Sequence, residues 1–162
     1  MNGRDEYVEE CADYLRELAG RRLYSNDEAA AVLRHLKATE KALVAAQSEM
    51  RRLLVKDVDG RTYRSGLSAA AAQGGHTQIT RALVFTQQRI QEITRYRENT
   101  KPGRYHLERA AVNLSVADFA DPPTSTQAWA LAEKMLAAAG IDYDPPTSRT
   151  ISNWLNANLS RN

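Results

Sequence analysis

Cysteine is all but missing from this 162-residue chain: Cys11 stands alone, so no disulfide can form within one copy. It shares the apolar side of a helical pattern with Tyr7, Tyr14, Leu15 and Leu18, and the expectation is a buried thiol in a reduced compartment. Long hydrophobic runs are missing too. No window approaches about eighteen uncharged apolar residues, and no apolar run stands behind the opening Met1-Asn-Gly-Arg-Asp-Glu6. The expectation is a cytoplasmic chain with no membrane partner and no secretion signal. Aromatic residues make up only 7% of the chain, and its 43% hydrophobic content is dominated by Leu and Ala, a balance that favours helix over sheet.

Catalytic and ligand-binding motifs are also lacking. His35, His76 and His106 have no short spacing suited to a metal, and Cys11 belongs to a different segment from all three. Gly74-Gly75 is too brief for a phosphate loop, and no Gly-Lys-Ser or Gly-Lys-Thr occurs. Asp57 and Asp59 begin like a calcium loop, but Arg61, Thr62, Tyr63 and Arg64 stand where later ligands belong. Glu9, Glu10 and Asp13 share a helix face without basic or nucleophilic partners, which reads as solvated surface. The expectation is a protein without enzymatic activity, cofactor or metal.

What the chain has is a basic middle. From Glu49 to Arg109 there are twelve Arg or Lys against six Asp or Glu, while the whole chain carries only +2. Helical periodicity surrounds this region. A first, acidic helix is expected over about Asp5 to Leu18, stopped by Gly20. Ser25-Asn-Asp-Glu28 has the spacing of a capping box and starts a helix to about Leu54. In it Ala29, Leu36, Leu43 and Met50 recur every seven residues, with Val32, Thr39, Ala46 and Leu53 at the complementary positions. That helix, 26–54, packs either on its own chain or against a second copy as a homodimer. Asp59-Gly60 predicts a small β-hairpin over Val55 to Tyr63.

Ser68 to Leu83 reads as an alanine-rich helix, a glycine turn at Gly74-Gly75 and a second helix opened by Thr77, which runs on to Arg97. This is the outline of a helix-turn-helix. In that geometry Thr77, Gln78, Thr80 and Arg81 occupy the turn that reaches base edges. Arg81 suits guanine and Gln78 suits adenine, while Arg61, Arg64, His76, Arg89 and Arg95 hold phosphates. A further helix is expected over Tyr105 to Phe119. Asp121-Pro-Pro-Thr124 then separates a helical domain, 1–121, from a small C-terminal unit, 124–162. That unit consists of a helix over Ser125 to Ala139, a connector beginning at Gly140, and a closing helix from Ser148 to Leu159.

Thr147-Ser-Arg-Thr-Ile-Ser-Asn-Trp-Leu155 resembles the recognition helix of bacterial and phage helix-turn-helix transcriptional regulators. The resemblance covers only these residues. It implies base reading by Arg149, Thr150 and Asn153 and phosphate contacts by Ser148 and Ser152. Between Ala110 and Thr147, however, Lys134 is the sole basic residue against Asp118, Asp121, Glu133, Asp142 and Asp144. The expected architecture is therefore an all-α, multi-helix bundle with helix-turn-helix elements. The expected function is a sequence-specific double-stranded DNA-binding regulator, a repressor. Its alternative is a helical adaptor or DNA-packaging protein without base readout.

Overall fold

The computed structural model describes residues 3–21, 23–54, 69–97, 100 and 102–159. Among these, six α-helices and one 3-10 turn make up the regular structure: α1 (Gly3–Ala19), α2 (Asn26–Leu53), α3 (Ala69–Arg95), α4 (His106–Ser115), the 3-10 turn Val116–Asp118, α5 (Ser125–Ala138) and α6 (Ser148–Leu159). The expected hairpin over Val55 to Tyr63 lies outside the described residues. The helix ends follow local chemistry. Ser25 caps α2 with the reciprocal Glu28 bond of a capping box, and Thr124 with Gln127 repeats the device on α5. At the other end of α5, Gly140 has φ +71°. The Gly140 amide donates to the Ala137 carbonyl and the Ile141 amide to the Leu136 carbonyl, both at 3.0 Å. This pairing is a Schellman stop, and the left-handed backbone it requires is cheap only for glycine.

One buried cluster gathers α1 (Tyr7, Cys11, Leu15, Leu18), α4 (Ala110, Ala111, Leu114), α5 (Leu131, Met135, Leu136) and α6 (Ile151, Trp154, Leu155). It therefore draws on both sides of the Pro122-Pro123 break. Arg16 ties α1 to α5 further, donating to the Ala138 carbonyl at 2.9 Å, where a cation meets the negative end of the helix.

Helices α2 and α3 form an antiparallel pair, in which α3 packs against this cluster through Val84 and Phe85 and α2 packs on α3. At its root a small core of Ala29, Leu33 and Ile93 is packed by Tyr24, Leu36 and Ile90, and the Tyr24 amide donates to the Tyr96 carbonyl at 2.6 Å. Farther out, Gln47 donates to Thr80 at 3.3 Å, and a Cβ placed on Gly75 would lie 3.1 Å from the tip of Met50. The row expected from the sevenfold spacing thus lies against α3 of the same chain, with Leu36, Leu43 and Met50 half-buried. The complementary positions Val32, Thr39 and Leu53 are exposed instead.

The expected turn at Gly74-Gly75 does not form. Both glycines lie inside α3, which is continuous from Ala69 to Arg95. Glycine disfavours a helix interior by about 1 kcal/mol per residue. At Gly75 the neighbouring α2 comes close, with Met50 lying where a side chain would crowd it.

Candidate nucleic-acid interface

Two arginines of α3 expected to meet DNA turn inward. Arg81 donates to the Asp118 carboxylate at 2.9 Å and lies 4.5 Å from the ring centre of Tyr7. Arg89 donates to Glu17 at 3.3 Å, lies near Glu92, and covers the Tyr14 ring at 4.6 Å. Phe85, halfway between them along the helix, meets both tyrosines edge-on at centroid distances of 6.0 and 5.9 Å. Burial raises the Tyr7 hydroxyl well above its ordinary range, and burial raises Tyr14 too. Both rings therefore stay neutral, and the arginines are held by ring faces and carboxylates together. The i, i+4, i+8 row Arg81, Phe85, Arg89 thus docks onto the i, i+7 pair Tyr7, Tyr14.

Asp118 anticipates none of this in the sequence, yet it organises the corner. Its side chain is 8% exposed and is bracketed by Arg4 and Arg81. A similar polar knot lies deeper in α3. Glu92, 1% exposed, accepts from Arg21 at 3.1 Å and from Tyr24 at 3.3 Å. Asn113 of α4 donates to Gln88 and Gln91, both at 3.0 Å, and Gln88 donates to the Tyr14 hydroxyl. Buried polar groups paired in this way fix one arrangement of α3 on its neighbours.

The remaining α3 candidates are spread out. Thr77 and Gln78 are exposed, whereas His76, Thr80 and Arg95 are half-buried, and Thr80 accepts from Gln47. His76, Thr77 and Thr80 line an open groove of about 720 Å³ together with Arg51, Asp118 and Asp121, over apolar Leu83, Val84 and Phe119. His76 Nε2 is buried there without a hydrogen-bond partner among the described residues. Arg61 and Arg64 lie outside the described residues.

Helix α6 keeps its candidates together. Thr147 caps it, accepting from the Thr150 amide at 3.2 Å, and its hydroxyl meets that of Thr150 at 2.9 Å. Ile151, Trp154 and Leu155 are buried, with Trp154 against the Tyr105 ring at 6.3 Å. The opposite side presents Ser148, Arg149, Asn153 and Asn156 to solvent, with Thr150 and Ser152 half-buried. Asn156 was not among the expected contacts, although its position three beyond Asn153 extends the same row. Asp142 and Asp144 are exposed in the preceding connector, and Arg104 stands 3.8 Å from Asp144. No helix among the described residues is long and apolar enough to cross a membrane. Compared with protein families, curated proteins and solved structures, the chain matches none.

Proposed function

We propose that the chain is a double-stranded DNA-binding regulator, of the repressor type, that reads bases with α6 rather than with α3. One observation carries the reading. The buried Ile151, Trp154 and Leu155 hold α6 in place while Arg149, Asn153 and Asn156 stand outward on one row. A helix presented in this way fits a major groove, where Arg149 pairs bidentately with guanine and Asn153 with adenine. The capped N-terminus, with Ser148 exposed beside it, suits a phosphate oxygen.

Arg81 is excluded from this role because its guanidinium already has a carboxylate and a ring face. Gln78 and Thr77 remain exposed on α3 but lack a neighbouring free guanidinium in that turn.

Selection from a random duplex library with the whole chain, followed by the same selection with Arg149→Ala and Asn153→Ala, tests the proposal. The native chain should enrich one motif, and each substitution should remove about 1–3 kcal/mol of discrimination at one base position. Binding with no enriched motif, unchanged by either substitution, would instead assign the chain to the helical adaptors that hold DNA without reading it.

A further inference from the structure

Two sets of basic residues contrast among the described residues. In the helical body, Arg4, Arg16, Arg21, Arg81 and Arg89 each pair with a carboxylate. On α2, Arg34, Lys37, Lys41, Arg51 and Arg52 are all exposed, and among the described residues only Arg52 pairs with a carboxylate, Glu49 at 2.8 Å. At about 100° per residue Arg34, Lys37, Lys41 and Arg52 lie along one flank of α2, within about 60° of one another, whereas Arg51 borders the groove beside His76, Thr77 and Thr80 of α3. Glu40, the acidic residue nearest the middle of the row, is half-buried, as are Leu36 and Leu43, and lies about a quarter turn around the helix from Arg34, Lys37 and Lys41.

The helix dipole accounts for Arg51 and Arg52, which sit in the last turn of α2. It gives no reason for Arg34, Lys37 and Lys41 in the helix interior. From Arg34 to Arg52 the row spans about 27 Å at 1.5 Å per residue, the length of about eight base pairs of duplex.

We infer that this flank of α2 is a second, sequence-independent contact of the protein, made with the phosphate backbone of duplex DNA. The inference rests on the DNA-binding reading above but on a different helix from the one proposed to read bases. Three solvent-facing cations without a carboxylate partner among the described residues, Arg34, Lys37 and Lys41, complement a polyanion of regular charge spacing, and releasing its counterions drives association. The row supplies affinity while α6 supplies choice of sequence.

The test measures binding of the whole chain to a random-sequence 30-base-pair duplex between 50 and 200 mM salt. It compares the native chain with Arg34→Gln/Lys37→Gln/Lys41→Gln and with Arg149→Ala/Asn153→Ala. All three replaced α2 side chains are exposed, so helicity by circular dichroism should not change. The α2 variant should lose about 2–3 from the slope of log affinity against log salt. Its affinity would then fall about 40-fold less over that range than the native chain's. Bound duplex should also shield Lys37 and Lys41 from acetylation read by mass spectrometry.

The α6 variant should keep the native salt slope. If the α2 variant matches the native slope and the two lysines stay reactive, the α2 inference is overturned while the reading of α6 stands. If α6 substitutions leave an enriched motif unchanged but the α2 variant loses slope, the reverse holds. Failure of the native chain to bind any duplex at 50 mM salt, or binding only to anionic phosphatidylserine vesicles, overturns both.

Discussion

A guanidinium is available to a phosphate only when no carboxylate in its own chain has engaged it, and this separates Arg81 and Arg89 from Arg149. Arg81→Ala would leave Asp118, 8% exposed, with Arg4 alone, and would uncover the Tyr7 ring. The expected loss is about 1–3 kcal/mol of folding stability, measured by urea denaturation, with no change in the motif selected from a duplex library. Glu108 offers a contrasting test. Its carboxyl is buried and its Oε2 has no hydrogen-bond partner among the described residues. Burial raises its pKa above the ordinary carboxylate value, with Asp144 adding to the shift. Because the folded pKa exceeds the unfolded one, ionisation penalises the folded state as pH rises, and below the unfolded value both states are protonated and the penalty vanishes. Glu108→Gln should therefore raise the melting temperature at pH 7 and leave it unchanged below about pH 4. The inward use of Arg81 was only partly legible in the sequence. The spacing of Arg81, Phe85 and Arg89 is visible there, as is that of Tyr7 and Tyr14, but their meeting depends on Asp118, more than thirty residues away.

At the scale of the elements, what the sequence made legible was whatever local chemistry decides. The capping box at Ser25, the stop at Gly140 and the outward face of α6 all depend on residues within a turn or two of one another. The continuity of α3 does not. A glycine pair reads as a break by propensity, and the long packing of α3 on α2, whose pairing no local rule supplies, is not visible in the sequence. Gly74 makes the distinction measurable, since a Cβ there would meet nothing within 4 Å. Gly74→Ala in a helix interior should stabilise the protein by about 0.5–1 kcal/mol. A loss of stability would instead indicate the left-handed turn residue of a helix-turn-helix.

For the whole molecule, burial is distributed unevenly. The cluster formed by α1, α4, α5 and α6 holds most of the fully buried side chains, whereas α2 buries only Ala29 and Leu33, both near its start. Local stability follows buried apolar contact. Native-state hydrogen exchange should accordingly show amides of residues 42–53 and 76–80 opening well before those of 110–115 and 131–136, and equal protection throughout would contradict it. The same unevenness limits what patterning reveals. The sevenfold row of α2 marks a partner but does not say whether that partner is another copy or α3.

The polar knot around Glu92 has a mechanical consequence. A rod clamped at one end converts a small rotation at the clamp into a large sweep at its free end. From Ala29 to Leu53 α2 is about 36 Å long, so a tilt of about 5° at the knot would shift its far end by about 3 Å across α3, enough to break the Gln47–Thr80 hydrogen bond. Whatever loosens Arg21 or Tyr24 from that single carboxylate therefore strains the packing of α2 on α3 a whole helix length away.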